Sequence, residues 1–487
     1  MGESNVLGRS VTLLVMLGVL AAAWHLFTAF DGGTGASALS WSVPWMPSLG
    51  VDLHFAVDGY NVYLLLLTAL LFPVVLLFAW DSDEGRRPLY LVLLLALEAA
   101  LLGTFLAQDL VLFFVLWEAV LIPMVLLILV FGGPQRRRAA LTFFLYTMAG
   151  SILLLAAVIA LGAASVQQTG HWAFGYAQLQ QLALSPGQQL FVFIAIALAC
   201  AVKSPLFPFH SWLPLAYGEA SPSGTALMAG VMSKMGAYGF IRLAVPLCPD
   251  VAPALAPFML GWAVTSLVYG AVLALRQANF KQLVAYASLS HMAYIVLGVF
   301  SFQPTGLHGS LIQVLSHGLA VAGLFLLLGM LEQRRGAAYL RTQGLATHAP
   351  RLAVAFMLFI LASLALPLSS GFTAEFLVLL GTFTRGVARW QAHGQAGTLV
   401  VALLAATGVV LGATYMLRFA RSLLFGDAAA TPDPGPDLRL REALALAPLL
   451  LLILWLGVRP APWMAKTDAT VMALAHPVEL AGGRHAE

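Results

Sequence analysis

Six ionisable residues stand in stretches otherwise too apolar for water. Glu118 lies in Phe113-Phe114-Val115-Leu116-Trp117-Glu118-Ala119-Val120-Leu121, Lys203 in Ala199-Cys200-Ala201-Val202-Lys203-Ser204-Pro205, and Lys234 in Gly230-Val231-Met232-Ser233-Lys234-Met235-Gly236. His291 and His317 each directly follow a serine, and Glu375 follows Gly371-Phe372-Thr373-Ala374. An ionisable side chain in lipid costs roughly 2.5–3.5 kcal/mol on insertion scales, so it persists only where it is paired or hydrated. Low dielectric disfavours the charged form of a lysine, and a nearby carboxylate restores it. A lysine whose proton affinity follows its neighbour's charge can load and unload a proton near neutral pH. Histidine does so with no shift at all. Two carboxylates, two lysines and two histidines are therefore the parts of a buried proton path, with Glu118 beside a lysine and Glu375 as the exit group.

Taken singly, each has a plainer reading. Glu118 can be a neutral carboxyl bonded to a neighbouring helix, the lysines can snorkel to the interface, and each histidine can be a buried hydrogen-bond donor. Glu375 can satisfy backbone amides at a helix start. Lys234 lies too far from either end of its apolar run for snorkelling to serve it, and two histidines in consecutive spans weigh against the plain reading of either. Glu98, at mid-span, is a candidate for coupling to a neighbour or half-channel, as is His210; His210 and Glu219 also fit as interfacial residues. Asp109 fits as the cap of a helix starting at Leu110.

Such residues need a membrane to matter, and the composition supplies one. The 487 residues are 61% hydrophobic and 9% charged, against roughly 25% charged in a soluble domain. Net charge is +3 with no basic patch, which argues against nucleic acid. Two cysteines, Cys200 and Cys248, without a CxxC, exclude an iron–sulfur or structural zinc site built within the chain. No nucleotide fingerprint is present, and the chain carries no redox cofactor of its own.

A spanning helix needs about 20 apolar residues. Spans are expected near 11–30, 61–80, 89–107, 110–131, 139–164, 190–208, 223–245, 257–275, 282–300, 307–331, 352–384, 397–424 and 442–458, which makes an all-α bundle of about 13 spans. Arg9 before the first run and Ala21-Ala22-Ala23 behind it resemble a cleaved leader, but the run is near spanning length and no polar domain follows. Alternating loops hold Arg86, Arg87, Arg136 to Arg138, Arg276, Lys281, Arg334, Arg335, Arg341, Arg351, Arg421, Arg439 and Arg441 on one side, and only Arg385 and Arg389 on the other. The positive-inside rule then puts the N-terminus in the cytoplasm and the C-terminus on the outer face of the inner (cytoplasmic) membrane. Two Pro-broken segments, Lys203 to His210 and Leu366 to Glu375, each lie beside an ionisable residue. They fall in residues 89–245 and 257–424, which read as two five-helix repeats of opposite topology, a transporter signature. Residues 1–88 form the N-terminal spans, and residues 425–487 the C-terminal span and tail.

The motifs are also familiar. Val57-Asp-Gly-Tyr-Asn61, Leu106-Ala-Gln-Asp-Leu-Val-Leu-Phe-Phe114, Trp117-Glu118 through Pro123-Met124, Phe143-Phe-Leu-Tyr-Thr-Met-Ala-Gly-Ser151, Pro208-Phe-His-Ser-Trp-Leu-Pro214, Lys234-Met-Gly-Ala-Tyr-Gly-Phe-Ile-Arg242, Ala285-Tyr-Ala-Ser-Leu-Ser-His-Met292, Ile312-Gln through His317-Gly-Leu319 and Gly371-Phe-Thr-Ala-Glu-Phe376 resemble the antiporter-like subunits of respiratory complex I, subunit M in particular, and the D-type subunit of photosynthetic NDH. The resemblance implies a Glu118–Lys203 pair, a central Lys234, bridging His291 and His317, and a terminal Glu375. It implies other membrane-arm subunits as partners, with NADH, flavin, iron–sulfur clusters and quinone held by partner subunits. The same motifs serve D-type subunits of multi-subunit cation/proton antiporters and of membrane-bound hydrogenases, and a paralog that has lost transport is a third reading. Three departures stand out: one span rather than two precedes the Asp-Gly motif, Leu215 and Tyr217 replace an Asp and a His in the loop after Leu213-Pro214, and the chain diverges after residue 425.

Overall fold

In lipid the backbone must satisfy its own hydrogen bonds, so long apolar runs fold as helices. The computed structural model describes residues 6–32, 39–336, 343–426 and 435–483; Arg341 of the loop-charge pattern lies outside them. Helix α1 (Val6–Ala29) leads to an antiparallel hairpin, β1 (Ser40–Met46) and β2 (Val51–Ala56), followed by α2 (Val62–Ala79) and α3 (Pro88–Leu106). Helices α4 (Leu110–Ala119) and α5 (Leu121–Phe131) meet at Val120, and α6 (Arg136–Thr169) and the short α7 (Tyr176–Leu179) follow. Then come α8 (Pro186–Lys203), α9 (Trp212–Glu219), α10 (Pro222–Leu227) and α11 (Lys234–Gly239). The second half comprises α12 (Val251–Arg276), α13 (Phe280–Ser301), α14 (Pro304–Arg335), α15 (Leu345–His348), α16 (Pro350–Ser363), α17 (Ser370–His393), α18 (Gly397–Leu424) and α19 (Leu440–Val458). The chain closes with α20 (Ala461–Ala465) and α21 (Asp468–Gly483).

Among the described residues, eleven helices are long and apolar enough to cross a membrane, α4 and α5 counting as one. The other two expected spans, 223–245 and 352–384, are both interrupted helices. The first runs from α10 through a π-helical turn (Met228–Met232), α11 and a second π-helical turn (Phe240–Ala244). The second is the α16–α17 pair. Helix α14 is the axis, buried inside the chain over its apolar length, whereas α1, α18 and α19 present most of their surface outward.

Both Pro-containing breaks are present. At the first, between α8 and α9, Trp212 Nε1 donates to Val202 O at 3.0 Å and Ser266 Oγ accepts from Phe207 N at 3.1 Å. At the second, Ser369 caps α17 by accepting from Phe372 N. The freed backbone groups are thus answered by protein, which is what permits a break at membrane depth. The hairpin is the one element an all-α reading omits. Trp41, Val43 and Trp45 alternate with small residues, as do Val51, Leu53 and Phe55 with polar ones, but neither run has spanning length.

Loop charges gather at one end of the bundle. Lys281 pairs with Glu332 at 2.8 Å, Arg334 with Glu442 at 2.7 Å, and Arg441 with Asp81. At the other end Arg242, just beyond α11, pairs with Asp58 at 2.7 Å, donates to Gln108, and lies between the rings of Tyr60 and Tyr176 at 4.7 and 4.6 Å.

The Lys234 helix and α14 touch backbone to backbone. A Cβ on Gly318 would sit 2.7 Å from Gly230 O and 2.6 Å from Leu67, and one on Gly230 would sit 2.7 Å from Leu71. Replacing Gly318 by Val should therefore destabilise the fold by about 1–3 kcal/mol. The measurement is the thermal inactivation midpoint in mild detergent, and an unchanged midpoint would contradict this packing.

Candidate functional site

Lys234 is fully buried. Its ammonium donates to Ala229 O, to Ser233 Oγ at 3.3 Å and to His317 Nδ1 at 2.8 Å. The π-helical turn makes this possible. Ser233 N bonds Met228 O five residues back, at 3.0 Å, which loosens the ladder. The Ala229 carbonyl is then open to both the Ser233 hydroxyl, at 3.0 Å, and the ammonium.

From His317 the contacts continue without a gap in the protein. Its ring stacks on that of His291 with centroids 5.6 Å apart. His291 Nδ1 lies 2.8 Å from Glu375 Oε1, and Tyr415 donates its hydroxyl to His291 Nε2 at 3.2 Å. The four side chains come from α13, α14, α17 and α18. A 2.7 Å bond between Ser316 and Ser370 pins α14 to the first residue of α17, which places Glu375 a little over one turn further along. A cavity of about 20 Å³ adjoins the file, lined by His291, Gln313, Ser316, His317, Ala320 and Glu375 among others. That is room for one water molecule. Of its lining atoms, His317 Nε2 and Gln313 Oε1 are buried without a protein partner.

The donors and acceptors fix the proton positions. A charged Lys234 donates to His317 Nδ1, so neutral His317 carries its proton on Nε2, toward which no protein acceptor is placed. A charged Glu375 accepts from His291 Nδ1, leaving His291 Nε2 to accept from Tyr415. Neutral His317 and His291 thus hold opposite tautomers.

Lys203 ends α8 at the first break and is buried. No direct ion pair joins Glu118 and Lys203 among the described residues. The ammonium instead lies 5.0 Å from the ring centroid of Trp117, whose Nε1 donates to Ser151 at 3.2 Å. Glu118, half-buried in the last turn of α4, acts on Lys203 only through space. A cation over an indole is itself a stabilising arrangement. The two lysines are linked through backbone, since Ser204 donates to Ser233 O at 3.0 Å. A Cβ on Gly236 would meet Cys200 O at 2.4 Å, so α8 and α11 are as close as a glycine allows.

The remaining sequence candidates lie apart. Glu98 is buried in α3 with Oε1 unpartnered. His210 is buried against Phe207 and Tyr269 with Nδ1 unpartnered. Glu219 accepts from Gln135 N at 2.8 Å and so ties α9 to the turn before α6. Asp109 caps α4 by accepting from Val111 N and Leu112 N at 2.9 and 3.0 Å. Sequence reasoning missed Tyr415, Gln313 and the Asp58–Arg242 pair. Arg242 was detectable as a cation inside an apolar span; Tyr415 and Gln313 carry no such signal.

Fold and site together define a multi-span membrane protein with a file of titratable side chains through its interior. A family profile described as NADH:quinone oxidoreductase/Mrp antiporter, TM, matches residues 107–391, and the chain belongs to that family. It is 34% identical over 473 residues to NADH-quinone oxidoreductase subunit M of Rickettsia typhi, covering 94% of this chain and 90% of that one. A chain of respiratory complex I from Thermus thermophilus with bound NADH superposes with a TM-score of 0.85 at 33% identity, covering 96% of this chain and 95% of that chain. The Mrp complex from Dietzia gives a TM-score of 0.82 at 24% identity, covering 96% and 92%, a likeness of fold.

Histidine-selective ¹⁵N spectra should show the neutral forms protonated at Nε2 for His317 and at Nδ1 for His291. The reverse assignment would break the Lys234–His317 or His291–Glu375 contact as described.

Proposed function

We propose that this chain is the proton-translocating membrane-arm subunit, of subunit M type, in a complex I-type NADH:quinone oxidoreductase, moving protons along Glu118, Lys203, Lys234, His317, His291 and Glu375. The observation that carries the reading is the unbroken contact from Lys234 through both histidines to Glu375. On this reading NADH oxidation and quinone reduction, with their flavin and iron–sulfur clusters, take place in partner subunits of the assembly. A D-type subunit of a cation/proton antiporter would share the fold, but the relative at 34% identity bears the name subunit M.

The chemistry follows from the geometry. A change of charge at Glu118 alters how strongly Lys203 holds its proton, and Lys203 in turn acts on Lys234 across the Ser204–Ser233 contact. When Lys234 gives its proton to His317 Nδ1, the Nε2 proton of that ring is released toward the adjoining cavity. One water there hands it to His291, whose Nδ1 proton passes to Glu375. Each ring takes a proton on one nitrogen and gives one from the other, which leaves both in the opposite tautomer, so the file resets once each ring has returned to its starting tautomer. Moving a charge against 100 mV costs about 2.3 kcal/mol, within what the gain or loss of a buried ion pair supplies.

Residues 89–245 and 257–424 are, in this proposal, inverted units with one broken helix each, flanked by residues 1–88 and 425–487. The charge-rich end faces the cytoplasm, the N-terminus lies there, and the C-terminus lies outside. A cysteine at Arg137 should then react with an impermeant thiol reagent only from the cytoplasm, and one at His393 only from outside; the reverse pattern would overturn the orientation.

Lys234→Met and Glu118→Ala should abolish proton translocation in membrane vesicles while the complex still assembles. Ala320→Val, which fills the water-sized cavity without changing a charge, should slow translocation roughly tenfold or more. A wild-type proton yield in Lys234→Met would sink the scheme.

A further inference from the structure

A buried proton file needs a mouth, and the loop at 213–217 contributes neither a carboxylate nor an imidazole. A second titratable cluster, outside the file, sits where a mouth would be. Glu84 lies in the turn between α2 and α3, at the end where Lys281, Arg334 and Arg441 gather. Ser223, in the first turn of α10, donates to Glu84 Oε1 at 2.8 Å, and Ser221, the residue capping α10, lies 2.9 Å from Ser223. Tyr90 is buried with its hydroxyl unpartnered and within reach of Ser223. The Lys281–Glu332 ion pair, from the start of α13 and the end of α14, is the remaining charge that acts on Glu84. Burial pushes the Glu84 carboxyl above the usual carboxylate range, against the serine hydrogen bonds and the Lys281 charge. It can therefore hold a proton where a surface glutamate would not.

Ser223 belongs to the interrupted helix that carries Lys234. Ser233, which accepts from the Lys234 ammonium, is ten residues further on, roughly 15 Å along the axis. Beside that interval stands Tyr217, fully buried, its hydroxyl unpartnered and in reach of the Ser233 side chain. Thr225 donates to Tyr217 O at 3.0 Å and holds it there.

We propose that Glu84, with Ser223 and Tyr90, is the proton-loading site of this chain, delivering through water and the Tyr217 and Ser233 hydroxyls to Lys234. Glu84 takes a proton from bulk water at the charge-rich face. Each hydroxyl then accepts one proton as it gives up its own, and Lys234 is recharged with no net change at the serines or tyrosines. The inference rests on the reading of Lys234 as the central carrier.

The test uses the assembled complex in membrane vesicles, with NADH-driven proton movement measured beside electron flow. Glu84→Gln still accepts the Ser223 hydrogen bond but cannot carry a proton, and should lower coupled proton movement roughly tenfold; Glu84→Asp should restore most of it. Lys234→Met is measured in parallel. Full proton movement in Glu84→Gln with loss in Lys234→Met overturns the loading site alone, whereas full movement in both overturns the parent reading. If Glu84→Gln does not assemble, Ser223→Ala removes only the linking hydroxyl, and an undiminished coupled rate in it overturns the proposal.

Discussion

An ammonium ion at the centre of a lipid-solvated bundle must find its solvent inside the protein. Lys234, with no exposed surface, is the clearest case: a carbonyl, a hydroxyl and an imidazole replace its water. Most irregular features nearby serve that replacement. The π-helical turn opens the Ala229 carbonyl, Gly318 and Gly230 bring α14 against the lysine's helix, and Gly236 brings α8 to the other side. Breaking a helix in a membrane is costly unless the freed groups are bonded, and here Trp212, Ser266 and Ser369 do the bonding.

The same compensation makes the file responsive. A lysine solvated by a histidine rather than by a fixed counter-ion has a partner that can accept its proton. Glu375 is held by a histidine on the same terms. Neither end is locked in a permanent ion pair, in contrast to Arg242 and Asp58, whose guanidinium cannot be deprotonated at any working pH. Among the described residues the protein thus has two kinds of buried charge: titratable ones along the axis, and guanidiniums away from it, of which Arg242 is held by Asp58 at the end away from the loop charges.

Much of this could be read from residues alone, because cost is visible in sequence. A charged residue in an apolar run, or a proline at mid-span, has few explanations. Those signals found Lys203, Lys234, His291, His317 and Glu375, and both broken helices. Glu118 and its pairing with Lys203 were legible too, but not the geometry between them. That depends on which way two side chains point, and Trp117 rather than the carboxylate faces the ammonium. The π-helical turns escaped because Met228 to Met232 and Phe240 to Ala244 read as ordinary helix; the extra residue per turn shows only in the hydrogen bonds. The hairpin escaped because its strands are too short to register against helices several times longer. Tyr415 and Gln313 are ordinary residues until the fold sets them beside His291 and the cavity.

Arg242 carries one more consequence. It stands in the middle of the second π-helical turn, and its side chain is bound at once to the segment before α2, the turn before α4 and the short α7. That end of the lysine-bearing helix is anchored in three places, while the turn at Met228–Met232 lies between Lys234 and the other end. Any displacement that carries Lys234 must therefore be taken up at that turn, as a lever moves about its loose joint rather than its bolted one.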